Sequence, residues 1–149
     1  MPEVIAILED DSRRPAAMRE CVAKLLPSME VVFFDEARAM IQWLCDNLGR
    51  VAALSLDHDL PSPVVDGKSV DYGTGREVAD YLTSVLPTCP VIVHSSNQNA
   101  AEGMFYALKS AGWPCYRVYP FDGEQWIPGA WADQLRSLSR DGWIEGGKR

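Results

Sequence analysis

Leu54-Ser-Leu-Asp-His-Asp-Leu-Pro61 is the stretch of sequence on which the fold and the function both depend. An apolar, strand-like run ends abruptly there in Asp57, His58 and Asp59. Carboxylates crowded at the end of a buried strand repel one another and are costly to desolvate, so this pattern is typical of a site around a cation or a reacting phosphate. The alternative is that Asp57 and Asp59 are solvated loop residues, with Asp59 capping a turn.

Short apolar runs recur along the chain, and each is followed by apolar residues at helical spacing. The runs that we interpret as strands are residues 4–8, 31–34, 51–56, 90–93 and 115–119. No internal repeat is present. Five strands that alternate with five helices predict a parallel sheet covered by helices on both faces.

Polar side chains follow four of the five predicted strands. Right-handed crossovers place the carboxyl ends of parallel strands at one edge of the sheet, where ligands bind in folds of this kind. The groups expected to meet there are residues 9–11, residues 57–59, residues 94–97, and Tyr119 with Asp122. Four such endings in one sheet favour a shared site over four unrelated loops.

The composition fits one globular domain spanning residues 1–149, with a flexible tail expected over residues 141–149. Apolar residues make up 47% of the chain and the mean hydropathy is −0.12, which excludes the disordered class. The net charge is −7 and no run rich in lysine or arginine occurs. We therefore expect no general coating of nucleic acid.

Four cysteines are present, and none lies close enough to another to form a Cys-x-x-Cys pair. Reduced, mostly buried thiols in a cytoplasmic protein are the expectation. The apolar run at residues 4–8 is too short for the core of a signal peptide. No apolar run approaches the length needed to cross a bilayer, so no membrane association is expected.

The strand endings resemble those of the receiver domain of two-component response regulators, over Glu3 to about Leu138. Receivers carry an acidic pair after strand one, here among residues 9–11. Their phosphoacceptor aspartate follows strand three, with a proline four residues on, which matches Asp57 and Pro61. The resemblance implies an α/β fold: a doubly wound, five-stranded parallel sheet of the flavodoxin and receiver type with strand order 2-1-3-4-5.

The later strand endings both match and depart from the receiver pattern. Ser95 stands where receivers place a threonine or serine after strand four. Receivers usually end strand five in Lys-Pro-Phe, but residues 119–121 here are Tyr-Pro-Phe. Tyr119 can donate one hydrogen bond but brings no positive charge to a phosphoryl group. This departure argues against an ordinary phosphotransfer switch.

Two further motifs are similar to a smaller branch, the cyclic-phosphate-processing receiver-like family. They are Leu-Asp-His-Asp-Leu at residues 56–60 and His-Ser-x-Asn at residues 94–97. The resemblance implies a candidate chemistry on cyclic phosphates.

Carboxylates are hard oxygen ligands suited to Mg²⁺ or Mn²⁺. The candidate metal ligands are Asp10, Asp11, Asp57 and Asp59. Glu9 is a neighbour that can replace one of the three that match the receiver pattern, Asp10, Asp11 and Asp57. A cation there would neutralise phosphate oxygens and activate a water. Alternatively, Asp57 attacks phosphorus itself and forms an acyl phosphate, as in receivers.

Asp57, His58 and His94 are the candidate catalytic residues, because histidine moves protons near neutrality. The structural alternatives are that His94 only makes hydrogen bonds in the fold and that His58 only orients an aspartate. Four further side chains are candidates to bind phosphate oxygens, and they are Ser95, Ser96, Asn97 and Tyr119. Asn97 can equally be a helix cap, Ser95 a partner of backbone groups, and Tyr119 a packing residue.

The glycine- and aspartate-containing loop at residues 61–75 is either a lid over the strand ends or an ordinary solvated insertion. As a lid it would let Lys68 or Arg76 supply the positive charge that Tyr119 does not.

Three hypotheses for function follow from these residues. The first is metal-dependent phosphoryl chemistry on small cyclic or terminal phosphates, as a possible phosphodiesterase or phosphohydrolase. The second is a stand-alone receiver that is phosphorylated on Asp57 by a kinase or a small phosphodonor. The third is a pseudo-receiver that binds a protein partner and needs no metal. The expected partners are thus a small phosphate-containing ligand or phosphodonor, and a protein partner under the third hypothesis.

Overall fold

The structure is a computed structural model that describes residues 2–61, 63–121 and 123–144. Its strands are β1 (Val4–Leu8), β2 (Glu30–Phe34), β3 (Val51–Leu56), β4 (Val64–Val65), β5 (Lys68–Ser69), β6 (Val91–Val93) and β7 (Cys115–Arg117). Five of them form one parallel sheet in the order β2-β1-β3-β6-β7, and β4 pairs with β5 in a separate antiparallel hairpin. Without the hairpin this is the predicted order 2-1-3-4-5, so the predicted fold is confirmed.

The helices cover both faces of the sheet. They are α1 (Arg14–Leu25), α2 (Ala37–Asn47), α3 (Gly75–Thr83), α4 (Gln98–Ser110) and α5 (Ala132–Arg140). A 3₁₀ turn at Leu48–Arg50 precedes β3, and a π-helical segment at Ile127–Trp131 leads into α5. The helices α2, α3 and α4 pack side by side on one face, while α1 packs with α5 and the π-helical segment on the other.

Alternation along the strands produces one core on each face. In β1, Ala6 and Leu8 belong to the core beneath α2, α3 and α4, whereas Ile5 and Ile7 belong to the core beneath α1 and α5. Each strand residue points to the opposite face from its neighbour, so a strand buried on both sides is apolar throughout. Full burial of one such side chain stabilises the fold by about 1.5–3 kcal/mol.

The segment between β3 and α3 turns back onto the end of β3. Gly75 N–H donates to the His58 carbonyl at 2.9 Å, and Asp59 and Thr74 form an isolated antiparallel bridge. A Cβ at Gly75 would lie 1.8 Å from the Asp57 carbonyl oxygen, so only glycine permits this approach. The start of α3 is therefore fixed against the residue at the centre of the predicted site.

The expected tail at residues 141–149 is described only as far as Ile144, whose side chain is buried in the core beneath α1 and α5. Residues 145–149 and Asp122 lie outside the described residues. Across the part of the chain that the structure describes, no helix has both the length and the apolar character needed to span a membrane.

Candidate functional site

The carboxyl ends of β1 and β3 lie side by side, because Leu8 pairs with Leu56 in the parallel register. This pairing brings the acidic residues after β1 next to Asp57. A cavity of about 460 Å³ opens at this edge of the sheet. The residues that line it are Asp10, Asp11, Arg14, Asp57, Asp59, Leu60, Pro61, Gly73 and Thr74.

Glu9 is a buried carboxylate held by hydrogen bonds on both oxygens. Its Oε2 accepts from the backbone N–H groups of Asp10 and Asp11 at 3.0 and 3.1 Å. Its Oε1 lies 3.1 Å from His94 Nε2 and 3.3 Å from Arg14 Nη1. Burial alone would raise the pKa of Glu9, but the hydrogen bond with His94 and the neighbouring donors hold it below its ordinary value. Glu9 therefore places a fixed negative charge beneath the cavity.

The pKa values of Asp57 and Asp10 are both raised. Burial raises the pKa of Asp57, whose Oδ1 accepts from the His58 N–H at 2.7 Å. Burial, with the charges of Glu9 and Asp57, raises the pKa of Asp10 to about 6. Ligand atoms of Glu9, Asp57 and His94 all lie within 4.8 Å of one another. A cation placed among these carboxylate oxygens would stabilise their ionised forms.

The other two predicted metal ligands lie at the rim of the cavity. Asp11 accepts a hydrogen bond from the Arg13 N–H at 2.9 Å, which lowers its pKa, and it also pairs with the Arg13 side chain at 3.5 Å. Asp59 Oδ1 lies 2.8 Å from His58 Nδ1 and 3.5 Å from Asn97 Nδ2. Both carboxylates line the cavity, and each already has polar partners.

His94 is fully buried, with both ring nitrogens engaged. Its Nδ1 lies 2.6 Å from Ser55 Oγ and its Nε2 lies 3.1 Å from Glu9 Oε1. Trp131 Nε1 donates to Ser55 Oγ at 3.0 Å, and Trp126 stacks on the His94 ring. When the Ser55 hydroxyl donates to Nδ1, Nε2–H donates to Glu9, and every group from Trp131 to Glu9 has a hydrogen-bond partner. This arrangement orients the Glu9 carboxylate from within the core.

The predicted phosphate-binding residues divide into two groups. Ser95 Oγ accepts from the Asn97 N–H at 3.1 Å, and Asn97 Oδ1 caps α4 by accepting from the Ala100 N–H at 3.1 Å. Ser96 is exposed beside them. Tyr119 is 47% exposed and stacks on Phe121.

A second cavity of about 290 Å³ accounts for Tyr119. It is lined by Tyr119 and Ser95 together with Val93, Gln98, Arg117 and Val118, and it shares no lining residue with the Asp57 cavity. The structure thus places Ser95 together with Tyr119 in the second cavity, and none of the four predicted phosphate-binding residues is among the residues that line the Asp57 cavity.

Arg14, in the first turn of α1, supplies a positive charge that sequence reasoning missed. Its Nη1 lies 3.3 Å from Glu9 Oε1 and 3.7 Å from Asp57 Oδ2, while its guanidinium carbon lies 5.3 Å from the Trp126 ring centroid. The two basic residues expected from the loop lie elsewhere. Lys68 is exposed in β5, and Arg76 pairs with Asp80 at 2.8 Å along α3.

Ser55 was also missed, although the sequence holds a signal for it. It is the one polar residue in the otherwise apolar, fully buried β3. A buried hydroxyl requires hydrogen-bond partners, so a lone serine inside such a strand points to polar neighbours in the core. Those neighbours are His94 and Trp131.

A family model described as the cyclic-phosphate processing receiver domain matches residues 5–110. This match includes the ends of β1, β3 and β6, and hence the acidic residues, Asp57 and His94. The chain belongs to the cyclic-phosphate processing receiver family. No match was found among curated protein sequences.

Solved structures similar to this family member are response regulators. A phosphorylated cyanobacterial phytochrome response regulator, RcpA, has a TM-score of 0.68 at 21% identity, with 93% of this chain and 94% of that chain covered. The Mn²⁺-bound response regulator Rcp1 has a TM-score of 0.62 at 19% identity, with 97% and 96% covered. The response regulator domain of Thermotoga maritima CheB has a TM-score of 0.67 at 14% identity, with 96% and 97% covered. At these identities the likeness shows the receiver fold.

Proposed function

We propose that this receiver-family domain is a metal-dependent enzyme that acts on small phosphate esters. It would open cyclic phosphodiesters, its preferred substrates, or remove terminal phosphate groups. The observation that carries the proposal is the charge at the Asp57 cavity. Asp10 and Asp57 line the cavity near the buried Glu9, and burial together with the charges of Glu9 and Asp57 raises the pKa of Asp10 to about 6. A site that only maintained the fold would have little reason to retain this repulsion.

The residues present fit Mg²⁺ or Mn²⁺. Carboxylate oxygens are the ligands these hard cations prefer, and no cysteine lines the cavity among the described residues. Asp10 and Asp57 would hold the ion, and Glu9, Asp11 and Asp59 are the neighbouring carboxylates that could complete its ligand set. When bound, the ion would neutralise phosphate oxygens and lower the pKa of a water. That Rcp1 is described as Mn²⁺-bound supports this assignment on a shared fold.

The chain's own residues would then supply the proton chemistry. Opening a cyclic phosphodiester forms one bond from a water oxygen to phosphorus and breaks one ring P–O bond, so one proton leaves the water and one reaches the leaving oxygen. We assign Asp57 to accept the first proton. We assign His58 to donate the second through Nε2, because its Nδ1 already pairs with Asp59 at 2.8 Å. His94 would act indirectly, by holding Glu9.

Ser96 and Asn97 would contact the non-bridging oxygens from the start of α4, where Asn97 Nδ2 lies 3.5 Å from the cavity-lining Asp59. Ser95, which lines the second cavity, would position Asn97 by accepting its backbone N–H. The first turn of α4 adds unpaired backbone N–H groups and the positive end of the helix dipole. Tyr119, in its separate cavity, would contact the organic part of the substrate and not its phosphate.

A second candidate function is that of a stand-alone receiver phosphorylated on Asp57. The observation favouring it is the similarity over nearly the full chain to response regulators, one of them described as phosphorylated. Under this alternative Asp57 attacks a phosphodonor and forms an acyl phosphate. A pseudo-receiver that binds a protein partner would need neither the cation nor the acyl phosphate.

A ³¹P NMR assay separates these functions. The wild-type protein with Mg²⁺ is incubated with a 2′,3′-cyclic nucleotide and, separately, with acetyl phosphate. The matched control is Asp46→Asn, an equal charge change at an exposed position near the end of α2 that lies by the opposite edge of the sheet. Conversion of the cyclic nucleotide to a monoester by wild type and Asp46→Asn, but not by Asp57→Asn, is the expected result. An acyl-phosphate signal without turnover of the cyclic nucleotide would favour the receiver instead.

A further inference from the structure

The Asp57 cavity has one positively charged side chain among its described lining residues, and that residue is Arg14. Asp10, Asp11, Asp57 and Asp59 provide the remaining charged groups of the lining. A phosphate that enters such a cavity meets strong repulsion unless a positive group faces it. Among the described residues that line the cavity, Arg14 is therefore the side chain whose charge favours anion binding.

The structure holds Arg14 in place without committing it fully to one partner. Its side chain is 19% exposed, which is low for an arginine at the start of a helix. The contacts of Nη1 to Glu9 and Asp57 are 3.3 and 3.7 Å, longer than the 2.7–2.9 Å of a strong charge-assisted hydrogen bond. The Trp126 ring lies against the guanidinium and limits its movement. A restrained arginine with weak carboxylate contacts is well prepared to exchange them for a phosphate.

The charge balance of the site gives Arg14 a defined role. Glu9, Asp10 and Asp57 contribute three negative charges when ionised, and a divalent cation would cancel only two of them. Without a further positive charge, the loaded site would still repel a phosphate. Tyr119 cannot provide that charge, and Lys68 and Arg76 do not line the cavity among the described residues.

We infer that Arg14 binds the phosphate group of the substrate, and that it supplies from the start of α1 the positive charge that Tyr119 cannot provide. This inference rests on the proposed function, since it concerns how that site holds its substrate. Guanidinium presents two parallel donors to two phosphate oxygens, so it suits the non-bridging oxygens of a small phosphoester. Arg14 Nη1 also lies 3.7 Å from Asp57 Oδ2, so a phosphate bound to the guanidinium would lie near the reacting carboxylate.

The test uses Arg14→Gln, Arg14→Lys and a control, Arg136→Gln, which removes the same charge on α5 where Arg136 pairs with Asp133. Calorimetry first measures the binding of Mn²⁺ alone to each metal-free protein. It then measures the binding of inorganic phosphate in saturating Mg²⁺. Thermal unfolding of each variant checks that it is folded.

Arg14→Gln is expected to bind Mn²⁺ as tightly as the wild type or several-fold more tightly, because a positive charge has left the carboxylates. Its affinity for phosphate should fall about ten- to hundredfold, the value of a charged hydrogen bond. Arg14→Lys should recover part of the phosphate affinity, and Arg136→Gln should match the wild type in both titrations.

The opposite signs of the two effects distinguish binding from a merely structural role. Unchanged phosphate affinity in Arg14→Gln, beside normal Mn²⁺ binding by the wild type, would overturn the inference and leave the proposed function standing. A parallel loss of both affinities would also overturn it, since Arg14 would then only organise the carboxylates. Absence of Mn²⁺ binding in the wild type would instead count against the proposed function itself.

Discussion

Replacing Asp10 by asparagine should stabilise the protein while it destroys the cation site. Burial and the charges of Glu9 and Asp57 oppose the ionisation of Asp10. Asparagine has nearly the same shape but no charge, so the variant removes the repulsion and keeps the packing. The same change removes an oxygen ligand that a divalent cation needs.

The size of the effect follows from the pKa of Asp10. A rise from the ordinary 3.8 to about 6 is equivalent to about 3 kcal/mol between the protonated and ionised forms. Asp10 is only partly buried, so solvent screening reduces the contribution to stability at neutral pH to about 1 kcal/mol. For a domain of this size, that corresponds to an increase in Tm of about 2–4 °C.

The effect also has a defined pH dependence. A carboxyl whose pKa is raised in the folded state binds more protons folded than unfolded, so its destabilisation is absent below pH 3.8 and develops as the pH rises through about 6. Asp10→Asn should therefore exceed the wild type in stability at pH 7 but differ little from it at pH 4.

Urea unfolding at pH 4 and pH 7, without and with Mg²⁺, measures each part of this prediction. Asp46→Asn, exposed on α2, should show neither the stabilisation nor its pH dependence. Saturating Mg²⁺ at about 100 times its Kd should stabilise the wild type by about 2.7 kcal/mol and reverse the order of the two proteins. An Asp10→Asn variant that is less stable than the wild type at pH 7 in metal-free buffer would refute the reasoning.

Three further predictions concern the groups around Asp57. Gly75→Ala should destabilise the fold by about 3 kcal/mol in urea unfolding, because its Cβ would lie 1.8 Å from the Asp57 carbonyl oxygen. Gly49→Ala, whose Cβ would enter open space, should destabilise the fold far less. Equal destabilisation by the two substitutions would contradict the close approach at Gly75. Ser55→Ala should lower the free energy of unfolding by about 1–3 kcal/mol, since it leaves the Trp131 N–H and a His94 nitrogen unpaired. Unchanged stability in calorimetry would argue against this buried series of hydrogen bonds. Mg²⁺ affinity should rise as the pH increases through about 6, because the cation binds the ionised form of Asp10. Calorimetry in buffers of different ionisation enthalpy measures the protons released on binding. An affinity that does not depend on pH would count against Asp10 as a ligand.

The sequence predicts the sheet because its signals are local and repeated. Apolar runs such as residues 51–56, short and bounded by polar residues, are typical of strands buried on both faces, and the parallel connections then determine which ends meet. Asp57 and the acidic residues after β1 could be placed together on this basis alone. The hairpin of β4 and β5 could not, since its two-residue strands are exposed and carry no periodic pattern.

Side-chain direction is the part that sequence reasoning could not supply. The sequence leaves His94 open as a proton carrier or a structural hydrogen-bonding residue, and only the structure shows that its nitrogens contact Ser55 and Glu9. Which way a residue points after a strand depends on the backbone of the turn that follows. Arg14 was missed for a similar reason, because its contacts with Asp57 and with the Trp126 ring join parts of the chain that are far apart in sequence.

The central claim is that the Asp57 cavity binds a divalent cation. Calorimetric titration of the metal-free protein with Mg²⁺ and Mn²⁺, beside Asp57→Asn and the exposed control Asp46→Asn, tests it most directly. We predict saturable binding to the wild type and to Asp46→Asn, with affinity at least tenfold weaker in Asp57→Asn. No binding to the wild type at millimolar cation, or equal binding to Asp57→Asn, would contradict the claim.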